Sequence, residues 1–348
     1  MSWEKTLEHY STLIERRLRN YFAEALKDAR DYHPFTVKIY SDLKEFILRK
    51  GKRLASYSTL LTYKGYTGKI DDKILKVCVG IELYRHSILV HDDLVDMDTL
   101  RRGGNTLHKT FKENYDTRFG EGTAIFVGNI VYACAIRTII ESGFTEEKVA
   151  RLLSTLSKGY QEVNESQILD LLFEYKDVDV SEWRVMASKR AASLFKVTML
   201  TGAILGDAPE NDLKILEEAA IHLGYSFDIQ DDIIDTFAQE EQYGRPSCGD
   251  IALGKKPLHL INTLNSADWK KSSALRNLIG KKRLSRKEIE LIRAVIRESG
   301  GLATAKKISR KHAEKAKDLV AQTSLRKEVK GFFNSLIAYI EESLDWYN

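Results

Sequence analysis

Residues 71–98 read DDKILKVCVGIELYRHSILVHDDLVDMD, and this stretch decides the fold. Ile74, Val77, Ile81, Ile88 and Val95 recur at separations of three, four and seven. That is the repeat that brings side chains onto one face of an α-helix. The stretch then ends in acid. Asp92, Asp93, Asp96 and Asp98 fall within seven positions, and two arginines, Arg101 and Arg102, follow at once. Like charges packed this closely on a helix repel one another, so the sequence must supply something to hold them.

The same helical spacing continues outward through 123–142, 147–175, 181–204, 211–237, 287–299, 302–322 and 326–346. Only four prolines occur in 348 residues, and scarce proline favours long helices. Alternating strand patterns closed by hairpin turns are lacking. These observations predict an all-α fold, a single-domain bundle of ten or more helices over 1–348. Breaks are expected at Pro34, GYTG 65–68, GG 103–104, GFTEE 143–147, GDAPEND 206–212 and the long GRPSCGDIALGKKP at 244–257, the one segment dense in both glycine and proline.

Net charge is only +4, with 54 basic against 50 acidic residues. This argues against a nucleic-acid partner. The basic runs after residue 270 are interrupted by acids and apolar residues and read as solvated helix faces. No apolar run reaches 18 residues, so no membrane span is expected. The charged N-terminal segment has no apolar signal core. Three widely separated cysteines, Cys78, Cys134 and Cys248, show neither zinc spacing nor a disulfide framework, which points to a reducing compartment and a cytoplasmic location.

HDDLVD at 91–96 has an echo, QDDIID at 230–235. In both, Asp-Asp-x-x-Asp puts carboxylates four residues apart on one helix face: Asp92 with Asp96, and Asp231 with Asp235. Such pairs offer oxygen ligands suited to Mg²⁺, which favours an incomplete carboxylate cage finished by water and phosphate oxygens. One copy alone would read as an exposed acidic face. Two copies, each beside an apolar helical segment and before a basic or glycine-rich loop, read as a paired metal–diphosphate site.

With these motifs the chain resembles the trans-type (all-E) isoprenyl diphosphate synthases. HDDLVDMDTLRRGG, FDIQDDIID at 227–235 and GRPSCGDIALGKK carry the resemblance, with smaller matches at GKRL 51–54, SQILDL 166–171 and SKRA 188–191. It implies an all-α bundle around a central cavity, and a Mg²⁺-dependent, head-to-tail condensation of isopentenyl diphosphate with an allylic diphosphate (dimethylallyl, geranyl, farnesyl or geranylgeranyl). Asp92, Asp93 and Asp96 would hold metal from one side and Asp231, Asp232 and Asp235 from the other, with three ions when substrate is bound. Arg101, Lys189 and Lys255 would contact the allylic diphosphate, and Arg102 the isopentenyl diphosphate. Gln167 and Asp170 match a Gln-x-x-Asp pattern, and either orient ligands or satisfy a buried polar network. His91 is either a hydrogen-bonding partner of the motif or a packed histidine. Phe227 and Tyr243 read as core or wall aromatics. A homodimer is implied by the resemblance alone.

Three departures stand out. The usual Gly-Gly-Lys-x-x-Arg element reads Lys50-Gly51-Lys52-Arg53-Leu54-Ala55. Lys52 and Arg53 remain as isopentenyl-diphosphate ligands, but Ala55 stands in place of the second arginine. Arg85 occupies the usual His or Gln position, and its guanidinium is expected to replace the missing one. Asp228 and Arg190 stand where the family has Gln and Thr, and are expected to form a charge-swapped contact. Asn129 replaces a common Asp and is read as a capping or hydrogen-bonding residue.

The resemblance also places a product tunnel beneath Asp92. Ser87 and Ile88, five and four residues before it, carry no ring, so a farnesyl stop is not expected. Tyr84, one turn deeper, is the predicted floor, with Phe126 or Tyr132 as alternatives, and a C20–C25 product follows. A terpene cyclase or head-to-head synthase would share the acidic all-α architecture. Lys52, Arg53, Arg102 and the second complete aspartate motif favour elongation instead. A silent regulatory subunit would be expected to lose one motif, and this chain keeps both.

Overall fold

The computed structural model describes residues 3–49, 51, 53–239 and 246–344. Lys52, Tyr243 and the start of the long loop at 244–245 lie outside the described residues. Among the described residues the regular secondary structure is helical apart from one hairpin of two-residue strands.

The helices are α1 (Trp3–Arg30), α2 (Pro34–Leu48), α3 (Leu54–Thr67), α4 (Asp72–Val95), α5 (Leu107–Lys112), α6 (Thr117–Ile140), α7 (Glu146–Glu174), α8 (Val180–Ala187), α9 (Arg190–Leu205), α10 (Glu210–Phe237), α11 (Gly249–Leu253), α12 (Leu258–Ser266), α13 (Trp269–Arg276), α14 (Arg286–Glu298), α15 (Gly301–Gln322) and α16 (Lys327–Ser343). The strands are β1 (Leu100–Arg101) and β2 (Gly104–Asn105), antiparallel, with Leu100 opposite Asn105 and Arg101 opposite Gly104.

The chain divides into two compact units. The first comprises 1–155 and 200–208, the second 156–199 and 209–348. In the first, α4 packs most extensively on α6. Its apolar stripe, Ile74, Val77, Ile81 and Ile88, is buried, which is the energetic reason this segment is a helix. In the second, α10 packs most extensively on α15. Ile229, Ile233 and Phe237 sit one turn apart on α10 and join a core with Trp183, Leu260, Ile292 and Ile296. Burying that row orients the acids of the neighbouring row, Asp228, Asp232 and Asp235.

One expectation needs correction. The single helix predicted over 181–204 is two, α8 and α9, broken at Ser188–Lys189. Side-chain hydroxyls take the carbonyls there: Ser188 Oγ donates to Val185 O at 2.7 Å and Ser166 Oγ to Met186 O at 3.0 Å. Hydroxyls that bond local carbonyls compete with helix propagation. The expectation of no membrane span is not overturned by α6, which is long and apolar enough to cross a membrane by length and composition, with a mean hydropathy of 1.7, but has 44% of that window buried inside the protein. Its packing on α4 makes it a core helix, with Ile125, Phe126, Ile130 and Ile140 left exposed.

A close helix crossing in the second unit is at Gly224 of α10. A methyl group there would fall on the backbone of Ala192 in α9, 2.8 Å from its Cβ. Close packing leaves no room for it. Gly224→Ala is expected to lower stability by roughly 1–3 kcal/mol, read as a lower midpoint in urea denaturation with an unchanged slope.

Candidate active site

In the first unit the acids lie at the C-terminal end of α4, where the helix dipole disfavours negative charge. Asp96 is the C-cap. Arg101, on β1, answers this. Its Nε pairs with Asp93 Oδ1, and its Nη2 lies 3.3 Å from Asp92 Oδ2 and 3.9 Å from Asp98 Oδ2. Thus Arg101, expected on diphosphate, sits on the acids themselves, and Asp98, read from the sequence as a solvated or arginine-paired carboxylate with no ligand role, is paired with an arginine. Asp93 is 1% exposed and, among the described residues, its Oδ2 has no hydrogen-bond partner. Burial pushes its pKa up to about 7 against the pull of Arg101.

Arg102 and Gly103 form the hairpin turn, with φ of 51° and 79°. Both central residues with positive φ define the primed turn that suits a two-residue hairpin. Its guanidinium lies on Gly51, where a Cβ would stand 2.8 Å from Cζ. Burial lowers its pKa to about 10, with Arg53, Arg85 and Arg101 adding to the fall against the opposing pull of Glu82. A cluster of guanidinium groups is what a diphosphate would relieve.

Arg53 differs from this pattern. Its side chain is fully buried and its Nη1 donates to Glu82 Oε2 at 3.0 Å. Ser56 Oγ donates to the other oxygen of Glu82 at 2.6 Å. Burial alone would raise the Glu82 pKa, but the pairing holds it below the ordinary value. The neighbouring His86 is driven by burial to about 3 and is neutral, so Arg53 is the countercharge. Arg49, which the sequence reading missed, is bonded through Nε to Glu45 at 2.8 Å and through Nη1 to Arg101 O at 3.0 Å, tying α2 to β1. The signal for Glu82 was a lone acid within the apolar run VCVGIELY.

His91 donates from Nε2 to Ile125 O at 3.1 Å and packs on Gly128 of α6. Tyr84 is fully buried, its ring 6.2 Å from that of Tyr132. Ser87 Oγ donates to Tyr84 O at 2.8 Å, and Ile88 is buried. Phe126 is 68% exposed. A separate cleft of about 740 Å³ lies among α1, α4 and α6, lined by Arg17, Tyr21, Lys76, Arg137 and Glu141 among others, and includes none of the motif residues.

In the second unit, Arg190 opens α9 and reaches three acids. Its Nε is 3.2 Å from Asp228 Oδ1, Nη2 3.1 Å from Asp232 Oδ1, and Nη1 3.5 Å from Asp170 Oδ1. The contact expected between Asp228 and Arg190 is therefore present and extends further. Lys255 Nζ lies 3.2 Å from Asp170 Oδ2 and 3.7 Å from Asp250 Oδ1. Asp170 of the Gln167-x-x-Asp pattern thus belongs to a buried ionic network. Asp235 accepts from the Asp250 N–H at 3.2 Å, and Asp231 is exposed. Asp232 Oδ2 is buried with no hydrogen-bond partner among the described residues. Burial raises Asp232 to about 8 and Asp228 to about 6, each opposed by Arg190.

Lys189 stands apart from this group, paired with Glu165 Oε2 at 2.5 Å and 42% exposed. Lys256, not singled out in the sequence, is buried and donates to Phe173 O, Glu174 O and Gly254 O at 2.5, 3.1 and 2.7 Å. It satisfies the terminal carbonyls of α7 and fixes the loop that carries Lys255. Phe227 packs on Phe195, as a wall aromatic would.

Among the described residues no three His, Cys, Asp or Glu side chains converge into a ready metal cage. Each motif instead holds one buried carboxylate with an orphaned oxygen, Asp93 and Asp232. That fits a cation bound by few protein oxygens and completed by water and phosphate.

The polyprenyl synthetase family profile matches residues 37–296, a range that runs through both units. The chain is 32% identical over 254 residues to a short chain isoprenyl diphosphate synthase of Methanocaldococcus jannaschii, covering 73% of this chain and 74% of that protein. It is 29% identical over 298 residues to the geranylfarnesyl diphosphate synthase of Aeropyrum pernix, covering 84% and 90%. The crystal structure of geranylgeranyl pyrophosphate synthetase from Pyrococcus horikoshii superposes with a TM-score of 0.83 at 26% identity, covering 98% of each chain. The chain belongs to the polyprenyl synthetase family. It is a transferase of the isoprenyl diphosphate synthase kind.

Arg53 and Arg102 are expected to separate in experiment. Arg53→Ala strands Glu82 in the core and should cost about 3–5 kcal/mol, whereas Arg102→Ala should leave the chemical-denaturation midpoint nearly unchanged. Equal losses in the two variants would show that Arg53 is no more structural than Arg102.

Proposed function

We propose that the chain is a Mg²⁺-dependent prenyltransferase that condenses isopentenyl diphosphate with an allylic diphosphate, head to tail and trans, to give a C20–C25 polyprenyl diphosphate and diphosphate. The observation that carries this reading is the repeated one: in each aspartate motif a guanidinium holds one oxygen of a buried carboxylate and the other oxygen is orphaned. The allylic C1–O bond breaks, the new bond forms to C4 of isopentenyl diphosphate, and a proton leaves from C2 to the departing diphosphate. Bound Mg²⁺ supplies the charge that stabilises that leaving group. Asp92, Asp93 and Asp96 would hold it, as would Asp231, Asp232 and Asp235. Lys255, Arg101 and Lys189 serve the allylic diphosphate, each by exchanging a carboxylate partner for phosphate. Arg85 and Arg102, with Lys52 from outside the described residues, hold isopentenyl diphosphate. No side-chain base is required.

The whole chain acts as one catalytic domain in this reading. Tyr84, buried against Tyr132, limits the product. A reducing cytoplasmic setting fits three thiols that are each buried and unpaired. Neither a cyclase nor a silent subunit is favoured by the named relatives. The exposed apolar residues of α6, Ile125, Phe126, Ile130 and Ile140, support a homodimer. Phe126→Glu with Ile130→Glu should shift the sedimentation coefficient to that of the monomer; a monomeric wild type would remove the homodimer from the reading.

The test of function is incubation with isopentenyl diphosphate, Mg²⁺ and each allylic primer in turn, followed by product chromatography. C20–C25 products are expected. No elongation from any primer would refute the activity. In the same assay Arg85→Ala should raise KM for isopentenyl diphosphate by roughly tenfold or more, as loss of a charged hydrogen bond does, with the allylic KM little changed. Tyr84→Ala should lengthen the product, and an unaltered length would exclude Tyr84 as the floor.

A further inference from the structure

The second aspartate site already contains a cation. Arg190 donates toward Asp170, Asp228 and Asp232, three carboxylates brought from α7 and α10. Each of the three is less than one-tenth exposed. Its own pKa is driven well above the ordinary value, the carboxylates outweighing the effect of burial. A guanidinium that spans three buried acids performs the electrostatic task a metal ion performs in such a cluster: it offsets their mutual repulsion and fixes their spacing. It also occupies Oδ1 of Asp232 and leaves only Oδ2 open.

We propose that Arg190 is a resident cation of the second aspartate site, holding Asp170, Asp228 and Asp232 in place without metal and reducing the divalent-ion binding of that site before substrate arrives. The inference rests on the reading that Asp231, Asp232 and Asp235 bind Mg²⁺. Arg190 is a positioning residue, and its partner Asp228 makes a charge-neutral exchange available. Arg190→Thr combined with Asp228→Gln removes one positive and one negative charge. Any gain in metal affinity then comes from freeing Asp232 and Asp170, not from altered net charge.

The test measures binding and melting in the absence of substrate. Mn²⁺ is titrated against the full chain and free ion is counted by electron paramagnetic resonance. Melting temperature is recorded in EDTA and in Mg²⁺. The double variant is expected to bind one more Mn²⁺ per chain than wild type, or to bind at this site about tenfold more tightly. It should melt lower than wild type in EDTA and recover in Mg²⁺, while wild type changes little. Arg190→Gln, neutral and of similar reach, should give the same result if the pair does not fold. Equal Mn²⁺ number and affinity in wild type and variants, with a melting deficit that metal does not repair, would overturn the proposal and leave Arg190 a packing residue. Failure of both proteins to bind Mn²⁺, even with an allylic diphosphate present, would overturn the metal reading beneath it.

Discussion

A carboxylate taken out of water must meet a cation, and this constraint organises both aspartate sites. Asp93 and Asp232 are nearly inaccessible, and burial alone would drive each to hold its proton. Each is met by one arginine from a different segment, Arg101 from the hairpin and Arg190 from the start of α9. In both cases the arginine takes one oxygen and leaves the other. Such half-satisfied groups are rare in folded proteins and call for an explanation. A ligand that brings positive charge supplies one.

The arginines near residue 50 show how one residue type divides its work by burial. Arg53 is closed off against Glu82 and belongs to the core. Arg49 is used up by Glu45 and a carbonyl. Arg102 sits among like charges, with its pKa depressed. Only the last has the electrostatic character of an anion site, because adding a phosphate there removes repulsion, whereas at Arg53 it would compete with an existing pair.

Much of this was legible in the sequence. The helices follow from periodicity, since apolar spacing and burial are the same physical fact, and α4, α7, α10, α14 and α15 begin and end within a few residues of their expected limits. The paired motifs were legible because four-residue spacing fixes a helix face. What failed to show was tertiary in origin. The break at Ser188 depends on a hydroxyl from Ser166, 22 residues earlier. The hairpin at 100–105 is too short to give alternation. The burial of Arg53 depends on Glu82 from another helix, and Lys189 is drawn to Glu165 rather than toward the aspartates. A motif names residue types, and packing decides which of them remain available to a ligand.

The hairpin turn carries one more implication. Arg102 holds a backbone conformation that suits glycine or asparagine, at φ 51°. Either replacement would relax the turn and stabilise the chain, yet it would delete a guanidinium from the anion cluster. In the proposed reading, foldability and recognition pull in opposite directions at this position. If Arg102 holds isopentenyl diphosphate as proposed, a search for heat-tolerant variants of the enzyme would be drawn to residue 102 and would find thermostability there at the expense of substrate binding.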